Sequence, residues 1–102
     1  MYFLELEVEP DPDGAYSGDA GGAQVTVWVR TDSDAAARAY CRRHLKDDGW
    51  IVRAVEQCRP CVRSDFEGNS ESLARFDEAE ADGGSIVCHI WPAEPQEGDA
   101  VH

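Results

Sequence analysis

A chain of 102 residues has room for one modest hydrophobic core, so a single domain is expected. Its 21 Asp and Glu against nine Lys and Arg leave a formal charge of −12, which repels polyanions and argues against DNA or RNA as a partner. Hydrophobic residues make up 42%, with three each of Trp, Tyr and Phe, which is enough apolar surface to fold and excludes a disordered acidic tail.

Tyr2 to Glu9 alternates as a strand does, with Leu4, Leu6 and Val8 on one face and Glu5, Glu7 and Glu9 on the other. Pro10 ends it, and the Pro, Gly and Asp of Pro10 to Gly22 predict a long loop. Gln24 to Arg30 alternates again, setting Val25, Val27 and Val29 opposite Thr26, Trp28 and Arg30. Thr31, Asp32 and Ser33 then offer N-caps for a helix over Ala35 to Asp48, which Gly49 stops. On that helix Ala37, Cys41, His44 and Leu45 share one face.

Trp50 to Gln57 reads as a third strand, Cys58 to Cys61 as a tight turn and Val62 to Phe66 as a short returning strand. Asn69 or Ser70 caps a second helix with Leu73, Phe76 and Ala79 on its apolar side, ended by Gly83 and Gly84. Ile86 to Trp91 is the last strand, closed by Pro92. Residues 1–92 are thus expected to form the domain, and the polar stretch 93–102 a flexible C-terminal tail.

The order β-β-α-β-(β)-α-β predicts an α+β two-layer sandwich with both helices on one face of a single sheet. With Val62 to Phe66 as a strand, Gln24 to Trp91 spells β-α-β-β-α-β, which resembles the ferredoxin-like or split β-α-β plan. Tyr2 to Glu9 is then an extra N-terminal strand at an edge. The resemblance is to an architecture that hosts many functions and implies none.

Met1 to Glu9 lacks the basic start and continuous apolar run of a signal peptide, and no stretch approaches the roughly 18 apolar residues of a membrane span. A cytoplasmic protein without membrane contact is expected, whose four cysteines (Cys41, Cys58, Cys61 and Cys88) stay reduced.

Two cysteines at the C-R-P-C spacing of Cys58 and Cys61 can share one zinc ion or form a reversible disulfide. C-R-R-H at Cys41 to His44 would add two ligands of the correct type, with Cys88 and His89 as further candidates. Against this, Cys41 falls on the apolar helix face and Cys88 alternates with Ile86 and Ile90, as ordinary buried thiols do. C-R-P-C also precedes no helix, whose N-terminus lowers the thiolate pKa in redox motifs.

E-P-D-P-D-G at Glu9 to Gly14 is similar to the start of a calcium loop, but Ala20 stands where a bidentate Glu is needed, so a solvated acidic turn is expected. No G-x-S-x-G or H-E-x-x-H surrounds any Ser or His, and Gly18, Gly21 and Gly22 precede a strand rather than a phosphate-binding helix. Nothing nominates a catalytic residue, and no cofactor is expected, zinc being the alternative.

Strand parity carries the functional expectation. With Val25, Val27 and Val29 under the helices, Trp28 faces away, and so do Phe3, His89 and Trp91. A two-layer sandwich leaves that face open, so Phe3, Trp28, His89 and Trp91 are the expected binding residues. The sequence therefore reads as a non-enzymatic protein-binding module, a homodimer through this aromatic face, whose acidity attracts basic partners. The alternative is a zinc or thiol protein using Cys58 and Cys61, completed by Cys41 and His44.

Overall fold

The computed structural model describes residues 1–14 and 20–92. The expected tail, 93–102, and the middle of the loop after Pro10 lie outside the described residues. Four strands form one antiparallel sheet: β1 (Tyr2–Pro10), β2 (Ala20–Val29), β3 (Trp50–Pro60) and β4 (Gly84–Pro92), in the order β3-β1-β2-β4. Two helices, α1 (Asp34–Asp47) and α2 (Ser70–Asp82), and a 3-10 turn over Arg63–Phe66 complete an α+β fold. Among the described residues no helix is long and apolar enough to cross a membrane.

The alternation of β1 and β2 sets their register, with Leu4 opposite Val27, Leu6 opposite Val25 and Val8 opposite Ala23. These residues are between 0% and 1% exposed, each worth roughly 1.5–3 kcal/mol of burial for a Leu or Val. β3 keeps its apolar residues on the same face by a different device. Its register with β1 shifts between Glu5 and Leu6 and again between Glu7 and Val8, so Cys58, Val55 and Val52 meet Leu4, Leu6 and Val8 although they lie three residues apart. Each irregularity inserts one extra residue, which is what a spacing of three requires in a structure of period two.

Ser33 caps α1 by accepting a hydrogen bond from the Ala36 N–H at 3.2 Å, and Asn69 caps α2 through Ser72 at 3.0 Å. The helices stop where Gly49 and Gly83 take left-handed φ values of 94° and 99°. α1 buries Ala37, Cys41 and Leu45 against Leu4, Leu6, Val8, Val25 and Val27. α2 buries Phe76 and Ala79 in a second cluster with Phe3, Trp28, Cys61 and Phe66. Phe3 and Trp28 have the opposite parity to Leu4 and Val27, so the two helices occupy opposite faces of the sheet.

Four expectations are thereby corrected. The helices do not share a face: Phe76 and Ala79 of α2 pack in one cluster with Phe3 and Trp28, on the side of the sheet opposite Leu4 and Val27. Val62 to Phe66 is no strand: the Asp65 carboxylate accepts from the Val62 N–H at 2.9 Å, and Arg63–Phe66 coils as a 3-10 turn. Among the described residues four strands therefore form where the ferredoxin-like plan with an added strand needs five. Nor is β1 an edge strand, since it hairpins onto β2 and also pairs with β3, leaving β2 and β3 parallel on either side of it. C-R-P-C is likewise not a tight turn, for β3 runs through to Pro60.

Candidate functional site

The aromatic residues of the second sheet face are gathered rather than open. Phe66 sets its ring 5.3 Å from Phe3, 5.8 Å from Trp28 and 6.1 Å from Phe76, so the 3-10 turn and α2 close over one end of that face. Arg63 binds Asp77 through two hydrogen bonds of 2.9 and 3.0 Å and ties the turn to α2. At the other end of the helix Arg30 donates to the Glu80 carbonyl at 2.7 Å, fastening β2 to the last turn of α2.

Beside this cluster runs a groove of about 320 Å³ between α2 and the sheet. Phe3, Thr26, Trp28 and Val87 line its sheet side, and Phe66, Asn69, Ser72 and Arg75 its helix side. Glu5, Glu71 and His89 line it as well. The Glu5 carboxylate is held in place by the Gln57 side-chain amide, which donates to it at 2.8 Å. Arg75 is engaged with Glu78 at 3.2 Å. The buried Ser85 hydroxyl donates to Glu78 at 2.7 Å, and this bond, then Arg75, holds the Glu78 carboxyl below its usual range. Arg59 stands over the Phe3 ring at 4.9 Å.

The acid is unevenly spread. Glu5, Glu7 and Glu9 share the parity of Phe3, on the α2 side of the sheet. α2 itself adds Glu71, Asp77, Glu78, Glu80 and Asp82 against Arg75 alone. The bases Arg38, Arg42, Arg43 and Lys46 sit on α1, across the sheet. The groove thus opens on the acidic side of the molecule. Trp28 lines it, and its Nε1 is the one buried side-chain polar atom without a hydrogen-bond partner among the described residues.

Of the four expected binding residues, Phe3, Trp28 and His89 all line this groove, and the structure brings them together. Their exposure differs from expectation. Phe3 and Trp28 are 8% and 3% exposed because Phe66 and α2 cover them, so the expected open face carrying both is corrected. His89 is exposed. Trp91, 38% exposed, lies further along β4 and packs over Gly21 and Gly22, where a Cβ on Gly22 would meet its Cζ2 at 2.6 Å. Phe66, Glu71 and Arg75 were not expected in the site. For Phe66 the signal in the sequence was its pairing with Phe76, two large aromatics that need a shared apolar surface.

The thiols are placed apart. Cys58 packs with the α1 cluster opposite Leu4, whereas Cys61 is buried in the α2 cluster and donates its N–H to the Met1 carbonyl at 2.9 Å. The two sulfurs of C-R-P-C therefore serve opposite faces of the sheet. Cys41 lies in the core, where burial pushes its thiol up to about 12, and burial also raises Cys58, with the Asp34 carboxylate beside it adding to the shift. His44 stacks on Tyr40, with ring centres 4.1 Å apart. Among the described residues, no three His, Cys, Asp or Glu side chains gather as metal ligands would.

Fold and groove define an α+β domain with an acidic, aromatic-floored cleft. Comparison with protein families, with curated proteins and with solved structures finds no match for this chain.

Proposed function

We propose that the chain is a non-enzymatic protein-binding module that receives a basic segment of another protein in the groove between α2 and the sheet. The observation that supports it is the convergence of Phe3, Trp28 and Phe66 with the Glu5 and Glu71 carboxylates on the acidic side of a chain of net charge −12. A lysine or arginine side chain suits such a cleft, since its aliphatic stem packs on aromatic carbon while its charged head meets carboxylate. The surrounding acid, Glu7 and Glu9 included, steers a basic partner toward the cleft and raises the encounter rate at low salt. The four unbridged thiols favour a reducing compartment, the cytoplasm, as its place of action.

Isothermal titration with an extended peptide bearing arginine at every second position tests the reading. The chain binds it, and Glu5→Gln combined with Glu71→Gln weakens binding between about 5- and 30-fold, as the loss of two partly exposed ion pairs would. An affinity unchanged in the double variant, or an equal affinity for the matching glutamate peptide, contradicts the proposal.

A further inference from the structure

The α2 face of the sheet continues beyond the groove. β4 is covered or half-covered from Gly84 to Val87, but Cys88 to Pro92 are exposed. Among the described residues Trp91 is the one exposed Trp, Tyr or Phe, and it has the parity of His89 and Val87. Its indole lies across β2 where two glycines leave room. A Cβ on Gly22 would meet its Cζ2 at 2.6 Å and its Cε2 at 3.0 Å, and a Cβ on Gly21 would meet its Cδ1 at 3.0 Å.

The register brings acid to the same place. Val8 pairs with Ala23, so the next residue of β1, Glu9, stands beside Gly22, whose neighbour on β4 is Trp91. Glu9 and Trp91 thus flank a residue without a side chain, on one face of the sheet. One step along the strands on that face, Glu7 pairs with Gln24 and Gln24 with His89. Among the described residues the base beside Glu9 is Arg53, at 3.9 Å, with 48% of the glutamate side chain and 64% of the arginine side chain exposed. An ion pair that long and that wet leaves the carboxylate open to another cation.

We infer that the basic segment received by the groove carries a second arginine or lysine four residues from the first, and that this cation packs on Trp91 and meets Glu9. The inference rests on the groove reading and adds a length and a spacing to its partner. The groove lies at the level where Glu5 pairs with Thr26 and Thr26 with Val87. Trp91 is four residues further along β4, which is about 13 Å at roughly 3.3 Å per strand residue. An extended segment running along the strands covers that distance in the same four residues, and its alternation turns both basic side chains toward the sheet. An indole is the preferred aromatic partner of a cation, and an acidic segment meets Glu7 and Glu9 instead of a counter-charge.

Three peptides of equal length, otherwise glycine, serine and threonine, test the inference by chemical-shift titration of the isotopically labelled full chain. One has a single arginine, one has two arginines four residues apart, and one has two adjacent arginines, which controls for charge and for the number of ways of binding. The spaced pair is expected to bind about 3- to 30-fold more tightly than the adjacent pair, as an exposed cation–π contact together with a partly exposed ion pair would give. Trp91→Thr removes that gain and Glu9→Gln reduces it, while both variants hold the single-arginine peptide as the unaltered chain does. Binding of the single-arginine peptide with no gain from the spaced pair, or a gain that survives Trp91→Thr, overturns the inference and leaves the groove reading standing. Failure of all three peptides to bind overturns both.

Discussion

Replacing Phe66 with Ala removes the ring on which the α2 face of the sheet closes. Phe66 is 8% exposed and stands within 5.3–6.1 Å, centre to centre, of Phe3, Trp28 and Phe76. A fully buried Phe cut to Ala costs about 3–5 kcal/mol, part of it transfer from water and part the cavity left behind. Phe66 sits in a four-residue turn at the margin of the sheet, where neighbours can settle into the gap, so the lower figure of about 3 kcal/mol applies. For a chain of this length that is a fall in Tm of about 12–24 °C, within a total stability of about 5–15 kcal/mol. Phe66→Leu keeps most of the volume and loses less than about 1.5 kcal/mol. Thermal and urea unfolding followed by circular dichroism measure both. A loss below about 1 kcal/mol for Phe66→Ala would refute the reasoning, because Phe3 and Trp28 would then not depend on the turn for their burial.

Three further outcomes follow from the same contacts. Burial holds the Cys41 thiol at about 12 against an ordinary 9.0, so the folded chain keeps a proton that the unfolded chain gives up. Its contribution is complete below pH 9 and is lost as pH climbs toward 12, and Cys41→Ala, although less stable at neutral pH, declines less steeply over that window in urea unfolding. Ser85→Ala removes the first of the two hydrogen bonds that depress Glu78, so the Glu78 carboxyl titrates at higher pH by NMR, and an unmoved titration contradicts the contact. Deleting Glu56 takes away the extra residue of one β3 irregularity and forces either Cys58 or the Trp50, Val52 and Val55 side onto the wrong face. Unfolding at room temperature, or a loss above about 3 kcal/mol, is expected, and a near-native stability would show that the register shift is dispensable.

Much of the fold was legible because single residues marked it. Leu4, Leu6 and Val8 against Glu5, Glu7 and Glu9 defined β1, and Ser33, Asn69, Gly49 and Gly83 marked the helix ends within a residue or two of where they lie. The side of the sheet on which α2 packs was not read, although the signal was present. Tyr2-Phe3-Leu4 and Val27-Trp28-Val29 are unbroken apolar runs, and a strand apolar on both sides is covered on both sides. Alternation alone masked this, since Glu5 to Glu9 keep the rest of β1 wet on the face where α2 ends. β3 itself was legible from Trp50 onward, but the face its residues serve was not, as the spacing of Val52, Val55 and Cys58 fits no regular strand until two extra residues are allowed.

Three of the four binding residues expected from parity do meet in one groove, because parity is a property of the backbone. Their burial was not accessible to parity, which says nothing about what lies above a face. Trp91 shares their face of the sheet but sits too far along β4 to reach the groove. The distribution of acid also escaped the composition, since a net charge of −12 does not tell that α1 carries four bases against Asp34 and Asp47 while α2, across the sheet, carries five carboxylates against Arg75.

The claim that a basic segment binds in the groove is tested most directly by titrating the isotopically labelled chain with the arginine peptide and following its amide resonances. The account predicts shifts at Glu5, Thr26, Glu71 and His89, suppressed as salt is raised, with α1 silent. Shifts centred on α1, or none at peptide concentrations that saturate other acidic modules, would contradict it.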